Sequence, residues 1–69
     1  MSELYAHEEY KGYKIFVECY QDEDDRDYRV WEATIMFNSA NLALTRSYIS
    51  GDKALTKAYN WINKQKGEL

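Results

Sequence analysis

Sixty-nine residues with one cysteine leave room for a single domain and exclude an internal disulfide. Nine basic against twelve acidic side chains give a net charge of −3 at pH 7, the wrong sign for a general nucleic-acid binder. No apolar run approaches the roughly 18 residues needed to cross a bilayer.

A chain this short buries only about 60% of its unfolded surface, so stability has to come from dense packing or from association. Seven Tyr, two Trp and two Phe supply the area for either. The first ten residues lack a basic region followed by an apolar one, so no signal peptide is expected. That, with a single thiol, fits a reducing cytoplasm. Proline is absent, which favours continuous elements joined by short turns.

Residues 1–9 are polar, with Leu4 and Tyr5 interspersed, and read as a turn of helix from Ser2 or as a loose terminus. Residues 12–21 alternate: Tyr13, Ile15, Val17 and Cys19 against Lys14, Phe16, Glu18 and Tyr20. That period of two predicts a strand. Asp22, Glu23, Asp24, Asp25 and Asp27 surround one arginine, a density of like charge expected at a solvated hairpin tip. Residues 28–37 predict a second strand, with Arg29, Trp31, Ala33, Ile35 and Phe37 on one side and Tyr28, Val30, Glu32, Thr34 and Met36 on the other. Residues 38–41 are turn-forming. Residues 42–50 predict a weaker third strand, whose outward pair is Leu44 with Tyr48 or Thr45 with Ile49, according to register.

Residues 51–66 carry the one clear helical period. Ala54, Leu55, Ala58, Tyr59, Trp61 and Ile62 fall on one side and Lys53, Thr56, Lys57, Asn60, Asn63 and Lys64 on the other, with Ser50 or Asp52 available as the N-cap. The expected fold is α+β: a three-stranded antiparallel meander packed against one C-terminal helix, in the order β-β-β-α. Trp31, Ala33, Ile35 and Phe37, with Ile15, Val17 and Cys19, are expected beneath the helix. Phe16, Tyr20, Tyr28, Val30 and Met36 are then left on an open face, more apolar area than a monomer usually exposes.

No catalytic centre is expected. His7 is the only histidine, and nothing in the sequence brings it to Cys19, which reads as a small buried hydrophobe. The acidic run fails as a calcium loop, having Asp27 where a glycine is required and Ala33 where a glutamate is. No phosphate loop, nucleophile elbow or zinc spacing occurs, and no cofactor is implied.

The segment GDKALTKA at residues 51–58, following a meander, is similar to the last helix of double-stranded RNA-binding domains, whose opening lysines grip phosphates. The resemblance implies nucleic-acid contact through Lys53, Lys57 and Lys64. The long N-terminal helix of that family is absent here, and of its paired lysines Lys53 stands alone. YKGYKI at residues 10–15, WEA at 31–33 and the closing helix with Ala54, Ala58, Trp61 and Ile62 resemble small bacterial β-β-β-α proteins. Their layout is also that of the HicB-type antitoxin fold, although the proline-containing loop of that family has no counterpart. The chain also resembles, in kind, small acidic phage inhibitors of bacterial defence.

The expected function is therefore binding by a non-catalytic cytoplasmic module. Phe16, Tyr20, Tyr28 and Val30 would meet another protein, a second copy included. Asp22, Glu23, Asp24, Asp25 and Asp27 would steer the encounter. The alternatives are nucleic-acid contact through the helix lysines and inhibition by acids that imitate phosphates.

Overall fold

The computed structural model describes residues 3–25 and 27–67. Four strands, β1 (Glu3–Tyr10), β2 (Tyr13–Gln21), β3 (Arg29–Phe37) and β4 (Ala40–Ser47), form one antiparallel sheet in the order β1-β2-β3-β4. A single helix, α1 (Gly51–Gln65), packs across one face. The class and the C-terminal helix agree with the sequence; the strand count does not.

The extra strand is the segment expected to be helical or loose, and a bulge explains why it escapes notice. Leu4 pairs with Glu18 and Ala6 with Val17, so Tyr5 is an inserted residue that reverses the alternation midway. Ala6, Glu8 and Tyr10 thereby lie on the helix side of β1, Leu4, His7 and Glu9 on the other. No uniform period of two survives across the eight residues. Residues 48–50, expected to extend the last strand, instead form the connection to α1.

Both tight turns follow from local chemistry. Lys11 and Gly12 join β1 to β2 at φ +52° and +88°, and Asn38 and Ser39 join β3 to β4 at +51° and +66°. Left-handed backbone at both central residues is what a two-residue hairpin needs to match strand twist. The acidic loop between β2 and β3 is built differently. The Asp22 N–H donates to the Tyr28 carbonyl at 3.0 Å and the Tyr28 N–H to the Asp25 carbonyl at 3.1 Å. Inside it, the Asp22 and Asp25 carboxylates accept the N–H groups of Asp24 and Asp27, each at 3.0 Å. Two of the acids are therefore turn-formers as well as charges.

The helix starts at Ser50, whose hydroxyl accepts the Lys53 N–H at 3.2 Å, so Ser50 rather than Asp52 is the cap. Ile15 and Val17 of β2, Ala33 and Ile35 of β3, and Ala54, Leu55, Ala58 and Ile62 of α1 make the core. Tyr13, Trp31, Tyr59 and Trp61 close its margins. The helix stripe read from the sequence is the buried one, and Ile15, Val17, Ala33 and Ile35 lie beneath it as expected. Phe37 lies at the margin, half-exposed and tilted against Tyr13 with ring centroids 5.1 Å apart. Polar ties fix the docking: Thr45 Oγ1 donates to the Ala54 carbonyl at 2.8 Å, and the Tyr10 hydroxyl to Asn63 at 3.0 Å.

Candidate protein-binding face

The side of the sheet away from α1 has no element packed against it among the described residues. Strand register arranges its side chains in rows across the strands. Nearest the two tight turns, Glu9, Lys14, Met36 and Asn41 stand in line. The next row is His7, Phe16, Thr34 and Leu44; the third is Leu4, Glu18, Glu32 and Arg46. Beside the acidic loop, Tyr20 pairs with Val30.

Each row has a distinct chemistry. His7 stacks on Phe16 with ring centroids 4.3 Å apart and planes 12° from parallel, leaving Phe16 half-buried. Leu44 is 54% exposed two strands away. In the third row Arg46 Nε donates to Glu32 Oε2 at 2.7 Å, and the Tyr20 hydroxyl reaches the same oxygen at 3.0 Å. Glu32 thus anchors both the cation and the phenol. Burial, followed by the hydrogen bond to Glu32, pushes the Tyr20 phenol above its ordinary pKa of 10.0. The same carboxylate holds the Arg46 guanidinium more firmly protonated.

Two hollows open onto this face. One, of about 310 Å³, is lined by Gly12, Lys14, Phe16, Met36 and the Phe37–Ser39 backbone and side chains. The other, of about 350 Å³, has Val30 as its floor, Tyr20, Tyr48 and Arg46 as walls and Asp22, Glu23 and Asp24 as its rim. The acidic loop therefore borders the sheet face; it does not stand apart from it.

The residues singled out from the sequence are only partly gathered here. Phe16, Tyr20, Asp22, Glu23 and Asp24 border the hollows, while the half-exposed Tyr28 ring, with Asp25 and Asp27, lies in the loop beyond. Val30 lies on the expected face but is only 2% exposed, so its side chain offers no contact area. Leu44, not Thr45, faces outward, which settles the open register in favour of Leu44 with Tyr48. Leu4 and His7 join the face through the bulged strand, and no periodic signal announces them.

On the opposite side of the molecule Lys53, Lys57 and Lys64 are exposed on α1. Lys57 Nζ donates to the Arg46 carbonyl at 2.8 Å, tying the helix to the rim of β4. Cys19 is 8% exposed on the helix side, with Arg29 Nη1 3.4 Å from its sulfur. His7 stands on the other side of the sheet, so these two side chains do not meet. Among the described residues no group of three or more His, Cys, Asp or Glu side chains is placed to hold a metal ion, and no helix is long and apolar enough to cross a membrane. No family model, curated protein or solved structure matches the chain.

Proposed function

We propose that this protein is a non-catalytic, cytoplasmic protein-binding module that uses the open sheet face and the acidic loop beside it. The observation that carries the reading is one uncovered face bearing Leu4, Phe16, Met36, Leu44 and Tyr48, three of which, Leu4, Leu44 and Tyr48, are more than half exposed. Aliphatic and aromatic groups spread over a sheet gain from being covered, at about 25 cal/mol per Å². The charged row between them keeps the face soluble when free, as suits an interface that opens and closes. Separation of His7 and Cys19 by the sheet supports a binding role over nucleophilic catalysis, which needs the two in contact.

The nucleic-acid alternative rests on Lys53, Lys57 and Lys64, and the Lys57 ammonium is already engaged by the Arg46 carbonyl. The test is affinity capture from the source cells with the wild-type chain and Leu44→Arg as paired baits. A partner held by the wild type and lost by the variant, with the same circular dichroism for both baits, supports the reading. Equal capture by both baits, or protection of Lys53 and Lys57 by duplex RNA, refutes it.

A further inference from the structure

The open face and its rim carry Glu9, Glu18, Glu32, Asp22, Glu23 and Asp24 against Lys14 and Arg46. Among the described residues, six acids on this side stand against two cations. The excess is uneven. Glu32 is matched by Arg46 at 2.7 Å, and Glu9 is the cross-strand neighbour of Lys14, so the acidity is most concentrated at the rim of the tyrosine-walled hollow, on Asp22, Glu23 and Asp24. The outer side of α1 has the reverse balance, with Lys53, Lys57 and Lys64 against Asp52. The molecule is therefore polarised through its thickness, acidic on the uncovered side and basic behind the helix.

From this polarity we infer that the occupant of the open face is a basic polypeptide surface, not the same face of a second copy of this chain. The inference rests on the docking role proposed above and names the partner's chemistry. Two copies meeting through this face would set one acidic rim against another, and like charges brought together across an interface oppose association. Nucleic acid and anionic membranes are repelled for the same reason. A partner that places an aliphatic residue over Phe16 and Leu44, and an Arg or Lys at the hollow between Tyr20 and Tyr48, meets complementary chemistry at both points. Tyr20 and Tyr48 line the hollow with aromatic rings, and Asp22, Glu23 and Asp24 offer their carboxylates to the cation.

The test uses ¹⁵N-labelled protein titrated with a short amphipathic leucine–lysine peptide, and with its counterpart in which glutamine replaces every lysine. The expected result is shifts at Phe16, Tyr20, Leu44 and Tyr48, with affinity falling about tenfold between low and moderate salt. The glutamine peptide should bind at least about tenfold more weakly, as should the lysine peptide to Asp22→Asn/Glu23→Gln/Asp24→Asn. Asn at position 22 keeps an oxygen for the Asp24 N–H, and the Asp25 carboxylate that accepts the Asp27 N–H is untouched, so the fold is retained. Sedimentation equilibrium of the protein alone should give a monomer. A dimer of the protein alone that salt strengthens, shifts confined to α1, or equal affinity for both peptides overturns the inference. Equal binding of both peptides at Phe16 and Leu44 would leave the docking role standing; no shift at that face, with equal capture by the two baits above, would remove both.

Discussion

Gly51→Ala should reverse the sign of its effect on stability according to whether Tyr5 is present. Gly51 opens α1, and the ring of the bulged residue Tyr5 lies where a Cβ on Gly51 would be, with Cε2, Cδ2 and Cζ all in the way. The Tyr5 hydroxyl also donates to Asp52 at 3.4 Å. In an unobstructed helix, replacing Gly by Ala stabilises by about 0.5–1 kcal/mol. Here the ring must either overlap the new methyl, at about 1–3 kcal/mol, or swing out. Swinging out forfeits the buried half of a tyrosine, roughly 100 Å², or about 2.5 kcal/mol at 25 cal/mol per Å². The single variant should therefore be destabilised by about 1 kcal/mol net, a fall of about 4–8 °C in Tm for a domain of this size. In a Tyr5→Ala background the same change should stabilise by about 0.5–1 kcal/mol. Urea denaturation of the four proteins in the cycle gives the coupling directly. An equal effect of Gly51→Ala in both backgrounds would refute the packing of β1 against the helix start.

Ile62→Ala empties a fully buried site under the sheet and should cost about 2–5 kcal/mol, read as a lower urea midpoint with an unchanged slope. Ser50→Ala removes the helix cap and should cost about 0.5–2 kcal/mol, with Ser50→Gly within a few tenths of wild type. The Tyr59 phenol is raised above its ordinary 10.0 by burial and then by its hydrogen bond to Glu8. A raised folded pKa means that the protonated phenol is favoured in the folded state, so its contribution is complete below pH 10 and lost as pH climbs through the higher folded value. Tyr59→Phe should flatten the alkaline decline in urea midpoint above pH 10 and leave the slope between pH 6 and 9 unchanged; an unaltered alkaline decline would contradict it.

Where period and face agree, the sequence is readable. Ala54, Leu55, Ala58 and Ile62 recur at helical spacing and are the buried stripe, and the alternation of residues 12–21 and 28–37 gives β2 and β3 with their inner faces correct. β1 was hidden for two physical reasons. Its bulge at Tyr5 breaks the period, and as an edge strand it keeps Glu3, Glu8 and Glu9 exposed, so it reads as polar. The open face is legible in Phe16 and Tyr20, whose positions follow from β2 alone. Leu4 and His7 required the missing strand, and Leu44 required the β3–β4 register, which bulges beside Met36. The alternation places Val30 on the open side; that it is only 2% exposed, in a hollow shared with Tyr20, Tyr48 and the acidic loop, lies in tertiary structure and not in spacing.

The order of the elements along the chain has a consequence for how the protein is made. Every strand pairs with its neighbour in sequence, so the sheet can zip from hairpin to hairpin as it leaves the ribosome, by short and quick loop closures. Ile15, Val17, Ala33 and Ile35 nevertheless remain wet until the final described element arrives with Ala54, Leu55, Ala58 and Ile62. During that interval both sides of the nascent sheet are sticky. A chain cut before residue 54 would present a chaperone with a two-faced apolar plate, whereas one that includes α1 presents only the acidic side.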